Sequence, residues 1–147
     1  MTSASIAVII CMYFEIESFF MFRLFQLDVP RSEFDAVNEM GWTEAMAKFP
    51  RVEAHFALSS GGSQGWVSEF DQYFKHVADI NVRDLEDAFL VHNNPHGMEH
   101  FEERITRHAP QHSMSVGDIL VGEYGDVHMV DNCGFTQLLS SKVGEAA

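Results

Sequence analysis

The sequence predicts a single α+β domain, a mainly antiparallel sheet with two or three short helices packed on it. Three observations carry that prediction. The chain has 147 residues of which 46% are hydrophobic, enough for one real core and too little for two of ordinary size. Apolar runs of strand length recur near 22–28, 73–82, 118–123 and 127–131. Between the earlier runs, the apolar spacing changes to that of a helix and is broken by glycine and proline.

Taken in order, "FRLFQLDVP" (22–30) is an apolar run closed by Pro30 and reads as a strand, central in the sheet. In "SEFDAVNEM", Ser32 followed by Asp35 has the layout of a capping box, and Phe34 and Val37 share a helical face. Gly41 interrupts, Thr43 can cap a further turn, and Pro50 stops it. "VEAHFAL" (52–58) fits a strand or a helix. "SSGGSQG" (59–65) lacks the Gly-Lys-Ser/Thr ending of a phosphate cradle and reads as a linker or a mobile lid.

In "YFKHVADINV" (73–82), strict alternation puts Phe74, His76, Ala78, Ile80 and Val82 on one face, and Lys75, Asp79 and Asn81 on the other. "RDLEDAFLVHN" then turns helical, with Asp84, Glu86 and Asp87 at the end where the helix dipole favours anions. Asn94 before Pro95 is a plausible cap for a helix ending before Pro110. "SVGD" turns the chain into "ILVGE", "YGD" turns it back, and "VHMVDN" completes a hairpin. "CGF" bends it once more, so Gly117, Asp118 and Gly134 are expected to be structural.

Charge narrows the function classes. Twenty-two acids against nine bases give a net charge of −13, which repels phosphate backbones and anionic lipid. Direct nucleic-acid binding is therefore not expected, whereas docking on a basic protein surface is favoured. Cys11 and Cys133 are too few for a disulfide framework or zinc cluster, so a reducing, cytoplasmic setting fits. The run "IAVIICMYF" (6–14) has no basic residue before it, and its nine residues fall well short of the ~20 that span a bilayer. No membrane association is expected. Residues 1–20 read as an extension upstream of a domain that starts at Met21 and runs to 141, with 142–147 as a tail; a chain beginning at Met21 is expected to fold.

"FRLFQLDVP", "DLEDAFLVHN" and the C-terminal "HSMSVGDILV…YGDVHMVDNCGFTQL" together resemble the YodL-like domains carried by phages and other mobile elements. The matching residues are Ser115, Val116, Gly117 and Asp118, then Asp131 to Phe135, and the resemblance spans about 21–140. It implies a mobile-element accessory role in host takeover, such as counter-defence, and transfers no chemistry to individual residues. The first 20 residues and the histidine-rich segment 92–112 depart from the pattern.

The leading functional expectation is a non-enzymatic protein-binding module that inhibits a host defence or nucleic-acid-binding protein. It needs no cofactor, and its acidic helix heads (Asp84, Glu86 and Asp87, then Glu99, Glu102 and Glu103) meet a basic partner. The alternative is a small metal- or nucleotide-binding enzyme using the segment from His92 to His112. There His96 and His100 lie one helical turn apart, with His108, His112 or Glu103 to complete a ligand set. His76 is expected to be a hydrogen-bonded core histidine. Cys133 with His128 in one hairpin lacks an evident oxyanion donor and is not expected to be catalytic.

Overall fold

The run FMFRLFQL forms strand β1 (Phe20–Leu27) at the middle of a six-stranded antiparallel sheet. The computed structural model describes residues 18–145. Three helices follow, each started by a backbone constraint instead of a side-chain cap. Pro30, with φ fixed at −58°, precedes α1 (Arg31–Met40), so Ser32 lies inside the helix and caps nothing. Gly41, at φ 84°, separates α1 from α2 (Trp42–Lys48), and Thr43 is likewise internal. Pro50 opens α3 (Pro50–Gly61) where a helix needs no N–H, instead of closing the helix before it.

The glycine-rich segment expected to be a linker or lid is docked. Its first residues end α3, and Gly62–Gly65 form a 3-10 turn whose Gly62 is buried, at φ 56°. A Cβ there would collide with the Asp131 carboxylate. That carboxylate accepts from the Ser63 backbone N–H at 3.3 Å, from the Ser63 hydroxyl, and from Thr136 Oγ1 at 2.6 Å. Composition signalled flexibility, but the carboxylate decides the conformation.

A second 3-10 turn (Ser68–Tyr73) leads into β2 (Phe74–Val82), followed by α4 (Leu85–Asn93). Asp84 caps α4 by accepting from the Asp87 N–H at 2.7 Å. Asn94 ends this helix in the left-handed region at φ 40°, so it is a C-terminal cap where an N-terminal one was expected. The helix expected through His108 is only the single turn α5 (Glu99–Glu102), because the chain pairs as β3 (Ile105–Arg107) from residue 105. The hairpin β4 (Ile119–Val121) and β5 (Val127–Val130) and a last strand β6 (Phe135–Gln137) complete the order β3-β2-β1-β4-β5-β6. Both edges are three-residue strands, too short to template further pairing.

The sheet is covered on both faces, which is why β4 is buried throughout. On the first face, Phe22, Leu24, Ala78, Ile80, Val82, Leu120 and Val130 pack beneath Ala88 and Val91 of α4. On the second, Phe25, Ile119, Val121, Val127 and Met129 pack beneath Ala54 and Leu58 of α3 and Phe70. The described part of the C-terminal tail belongs to this second core: Val143 is buried, and Arg23 donates to the Gly144 carbonyl at 3.3 Å. Four helices of seven or more residues are described, against two or three expected, because α1 to α3 are separate segments broken at Gly41 and Phe49.

One slip in register governs the sheet. Leu24 pairs with Ala78 but Phe25 pairs with His76, leaving Val77 as an extra residue in β2. Val77 and Ala78 therefore both enter the first core, and His76 and Asp79 share the second face. Simple alternation had placed that pair on opposite faces. A one-residue insertion is enough to reverse it.

Asp87 is the one carboxylate of the acidic helix head that lies inside. It is buried, receives Arg104 Nη2 at 2.7 Å and Arg83 Nη2 at 3.3 Å, and accepts from the Arg83 N–H at 3.0 Å. Burial opposes its ionisation, but the hydrogen bonds from Arg83 and Arg104 outweigh this and hold the carboxyl below its ordinary range. Asp87→Ala should then cost about 3 kcal/mol in urea unfolding, the low end for a broken buried pair because both arginines still reach water. Glu86→Ala, one residue away and exposed, should stay within about 0.5 kcal/mol of the parent.

Candidate functional site

The N-terminal half of α4 and the β5–β6 turn wall a cleft of about 540 Å³, in the size range of small-ligand and side-chain pockets. Phe89, Met114, Val116, Val130 and Phe135 line it, and Glu86 and Asp131 stand at its polar margin. A second, more open depression continues past Glu86, Gly134 and Phe135 and bears Asp84 and Asp126, together with Arg83 and His128. Asp131 is held ionised here: the Ser63 and Thr136 hydroxyls outweigh burial and bring its pKa down to about 2. This is a firm apolar trough with fixed negative charge along one side.

The six acidic residues expected to meet a partner fall into different roles. Glu86 is exposed at the cleft, and Asp84 is exposed beside it while also capping α4. Asp87 is removed from the set, because its carboxylate faces Arg83 and Arg104 inside. Glu99, Glu102 and Glu103 are exposed on the α5 turn, and Glu102 is paired with Arg107 at 3.1 Å. The Arg107 hydrogen bonds, against slight burial, lower the Glu102 pKa.

The four histidines of the metal alternative are not brought together. Among the described residues, the one group of three with ligand atoms in mutual reach is His76, Asp79 and His108. His96 and His100 lie outside it, exposed on the Pro95–Gly97 turn and on α5. His112 is exposed near Gln26 and Asp118. His92 is buried and contacts Gln111 Oε1 at 2.6 Å. His76 is half-buried, not a core residue; its ring stacks on Phe25 at 5.1 Å between centroids and lies 4.8 Å from the His108 ring. Each imidazole places Nε2 2.7 Å from a different oxygen of Asp79. Burial resists ionisation of Asp79, but the hydrogen bonds from His108 and His76 prevail and lower its pKa. Sequence reasoning missed this set because the bulge that assembles it leaves no mark in the hydrophobic pattern.

Asp118 braces its turn as expected, accepting from the Ser115 N–H at 3.0 Å. It is also a buried charge, which the sequence did not signal. Gln26, itself buried on β1, donates to it at 3.0 Å, and His112 Nδ1 lies 4.0 Å away. Burial is the largest influence and raises its pKa to about 6, against the opposing effects of His112, Ser115 and Gln26. A small cavity of about 200 Å³ beside it is lined by Leu27, Phe34, His55, Leu58 and His112. Burial, and then the charge of His112, lower the pKa of His55. Gly117, at φ 96°, sits against Leu58, and Gly134 is at φ 74°, so both occupy conformations that favour glycine. Cys133 is an exposed free thiol in the β5–β6 turn. No helix of the described residues is long and apolar enough to cross a membrane.

No protein-family model, curated protein or solved structure matches the chain.

The Asp118 environment gives a pH dependence of definite sign. Between pH of about 4 and 6 the folded chain retains a proton that the unfolded chain loses, so this group lowers stability as pH rises, in full above 6. Asp118→Asn keeps an oxygen for Ser115 and Gln26 and removes the titration. Urea unfolding of the variant should match the parent near pH 4 and exceed it at pH 7; an equal difference at both pH values would contradict this account.

Proposed function

We propose that this chain is a protein-binding module that takes a basic partner segment along the cleft between α4 and the β5–β6 turn. The segment would place one apolar side chain among Phe89, Met114, Val130 and Phe135 and set lysine or arginine beside Glu86, Asp84 and Asp126. The observation that carries this reading is the continuity of the apolar trough with the acidic depression through Glu86, on a chain whose net charge is −13. An apolar anchor supplies the desolvated centre that dominates interface energetics. The flanking charges speed encounter and fix register.

Asp131 supports the reading from below. Its carboxylate is already engaged by Ser63, Thr136 and Asn132, so it holds the wall of the trough in place and contributes charge with no change of conformation. Preorganisation of this kind spares a partner the entropy of ordering the site. The mobile-element setting rests on the sequence resemblance alone, and with it the suggestion that the partner is a nucleic-acid-binding or defence protein of the host.

The test uses a synthetic dodecapeptide with a central phenylalanine flanked by lysines, added to the isotope-labelled full chain. Amide shifts are expected to concentrate at Phe89, Val116, Val130 and Phe135. Affinity should fall steeply between 20 and 200 mM salt, across which the Debye length shrinks from roughly 20 Å to below 10 Å. Glu86→Lys should weaken binding about tenfold, equivalent to about 1.4 kcal/mol, without moving the unfolding midpoint. Shifts dispersed over the surface, or an affinity indifferent to Glu86, would overturn the assignment.

A further inference from the structure

We propose that His76, Asp79 and His108 form a binding site for a divalent transition-metal ion, with zinc the ion whose preferences they match. The three side chains come from one strand and from the residue that follows its neighbour. His76 and Asp79 belong to β2, and His108 directly follows β3, tied down by its own N–H to the Val77 carbonyl at 2.8 Å. Their ligand atoms lie within 4.8 Å of one another, and the side chains are between a quarter and two-fifths exposed, so an ion reaches them from solvent.

Two imidazole nitrogens and one carboxylate oxygen are the donor set of zinc and its neighbours in the first transition row. Calcium and magnesium prefer oxygens alone. Three protein ligands with a fourth position open to water is the arrangement of reactive zinc sites, where structural sites close all four. In tetrahedral coordination at zinc–nitrogen distances of about 2.0–2.1 Å, neighbouring ligand atoms stand roughly 3.3 Å apart. With one Asp79 oxygen on the ion, the 2.7 Å contact of that oxygen would thus open by about half an ångström, and the ring now held by the other oxygen would shift toward the ion.

The hydrogen bonds define what the ion replaces. A carboxylate only accepts, so with Asp79 ionised both Nε2 atoms carry hydrogen and point it at the carboxylate. On coordination each ring gives its Nε2 lone pair to the ion, and that hydrogen moves to Nδ1 as the other tautomer or leaves as a proton if the ring is cationic. Asp79 keeps its negative charge and exchanges two hydrogen bonds for one metal–oxygen bond. The stacking of His76 on Phe25 fixes the plane of that ring before the ion arrives, an orienting support of the kind that raises metal affinity.

The site is independent of the peptide cleft and of the functional reading built on it. It also differs from the helical His96–His100 arrangement suggested by spacing, and the experiment separates the two. The full chain is titrated with Co²⁺ and followed by visible absorption, with Zn²⁺ as competitor, while the imidazole resonances are recorded by NMR. One equivalent per chain is expected, displaced by Zn²⁺, with the cobalt bands of a four-coordinate site. His76 and His108 should lose or shift their signals, while those of His55 and His128 stay in place.

His76→Gln, Asp79→Asn and His108→Gln should each weaken binding at least tenfold. His96→Ala with His100→Ala should leave it unchanged. Circular dichroism of each variant distinguishes a lost ligand from a lost fold, and the NMR titration of the parent needs no variant at all. Absence of saturable binding, or binding that survives the cluster substitutions and disappears with His96 and His100, would overturn the proposal.

Discussion

The extra residue at Val77 is the constraint on which the arrangement of this molecule turns. With both faces of the sheet covered, every strand residue must be apolar or have a reason not to be, and a register slip transfers side chains between two cores. Before the bulge, Phe74 and His76 face the α3 side; after it, Ala78, Ile80 and Val82 face α4. Val77 itself joins the α4 core beside Ala78, so two adjacent residues of one strand are buried on the same side. The bulge thereby lets β2 serve both cores. It also leaves Asp79, Asn81 and His76 together where the strand runs toward the β3 edge. A polar group on a two-sided sheet is tolerable only where water or a partner meets it, and here the partners are the two imidazoles.

Carboxylates close the fold around this frame. Asp131 pins the 3-10 turn after α3 to the β5–β6 turn, Asp87 ties α4 to Arg104 before β3, and Asp71 accepts from Ser141 and the Lys142 N–H near the C-terminus. Each joins segments distant in sequence at a loop where few apolar contacts are available. The large acidic excess is thus divided. Some carboxylates are committed to internal hydrogen bonds, and those that are exposed, such as Glu86, Glu99 and Glu103, set the field that a partner would meet. Formal charge alone does not distinguish these groups. Asp87 and Glu86 are adjacent in sequence and opposite in role because the α4 helix turns one inward and the other outward.

That division explains what the sequence could disclose. Strands β1, β2, β4 and β5 were legible because long apolar or alternating runs ended at proline, glycine or a change of period, and α4 because acids preceded a helical spacing. The helix starts at Pro30 and Pro50 were misread, since proline both ends and begins helices and only the path of the chain selects between them. The edge strands β3 and β6 have three residues each, too few for any periodicity. The glycine-rich turn looked mobile because its order comes from a carboxylate 68 residues away. The histidine spacing fits a helix that in the folded chain runs only from Glu99 to Glu102. In the folded chain, pairing of β3 with β2 carries His108 to residues 76 and 79, and no local pattern contains that pairing.

The two candidate sites lie on opposite sides of the sheet. The apolar cleft opens on the α4 side, where Met114 and Val130 belong to the first core, and the His76–Asp79–His108 cluster projects from the other face at the β2–β3 end. β1 and β4 lie between β2 and β5 in the sheet, so no side chain is shared between the two sites. Distant sites without common partners behave additively. An ion of charge +2 would offset only a small part of a charge of −13, and beyond a Debye length its effect on a basic ligand is screened. Any strong coupling between metal and peptide would therefore have to pass through the sheet itself. The bulge is the place where β2 has a register to change, but Val77 and Ala78 are both packed in the first core, and removing the slip would put these two neighbours on opposite faces and take one of them out of that core. The sheet therefore stands between the two surfaces, and the two proposed activities would be independent of each other.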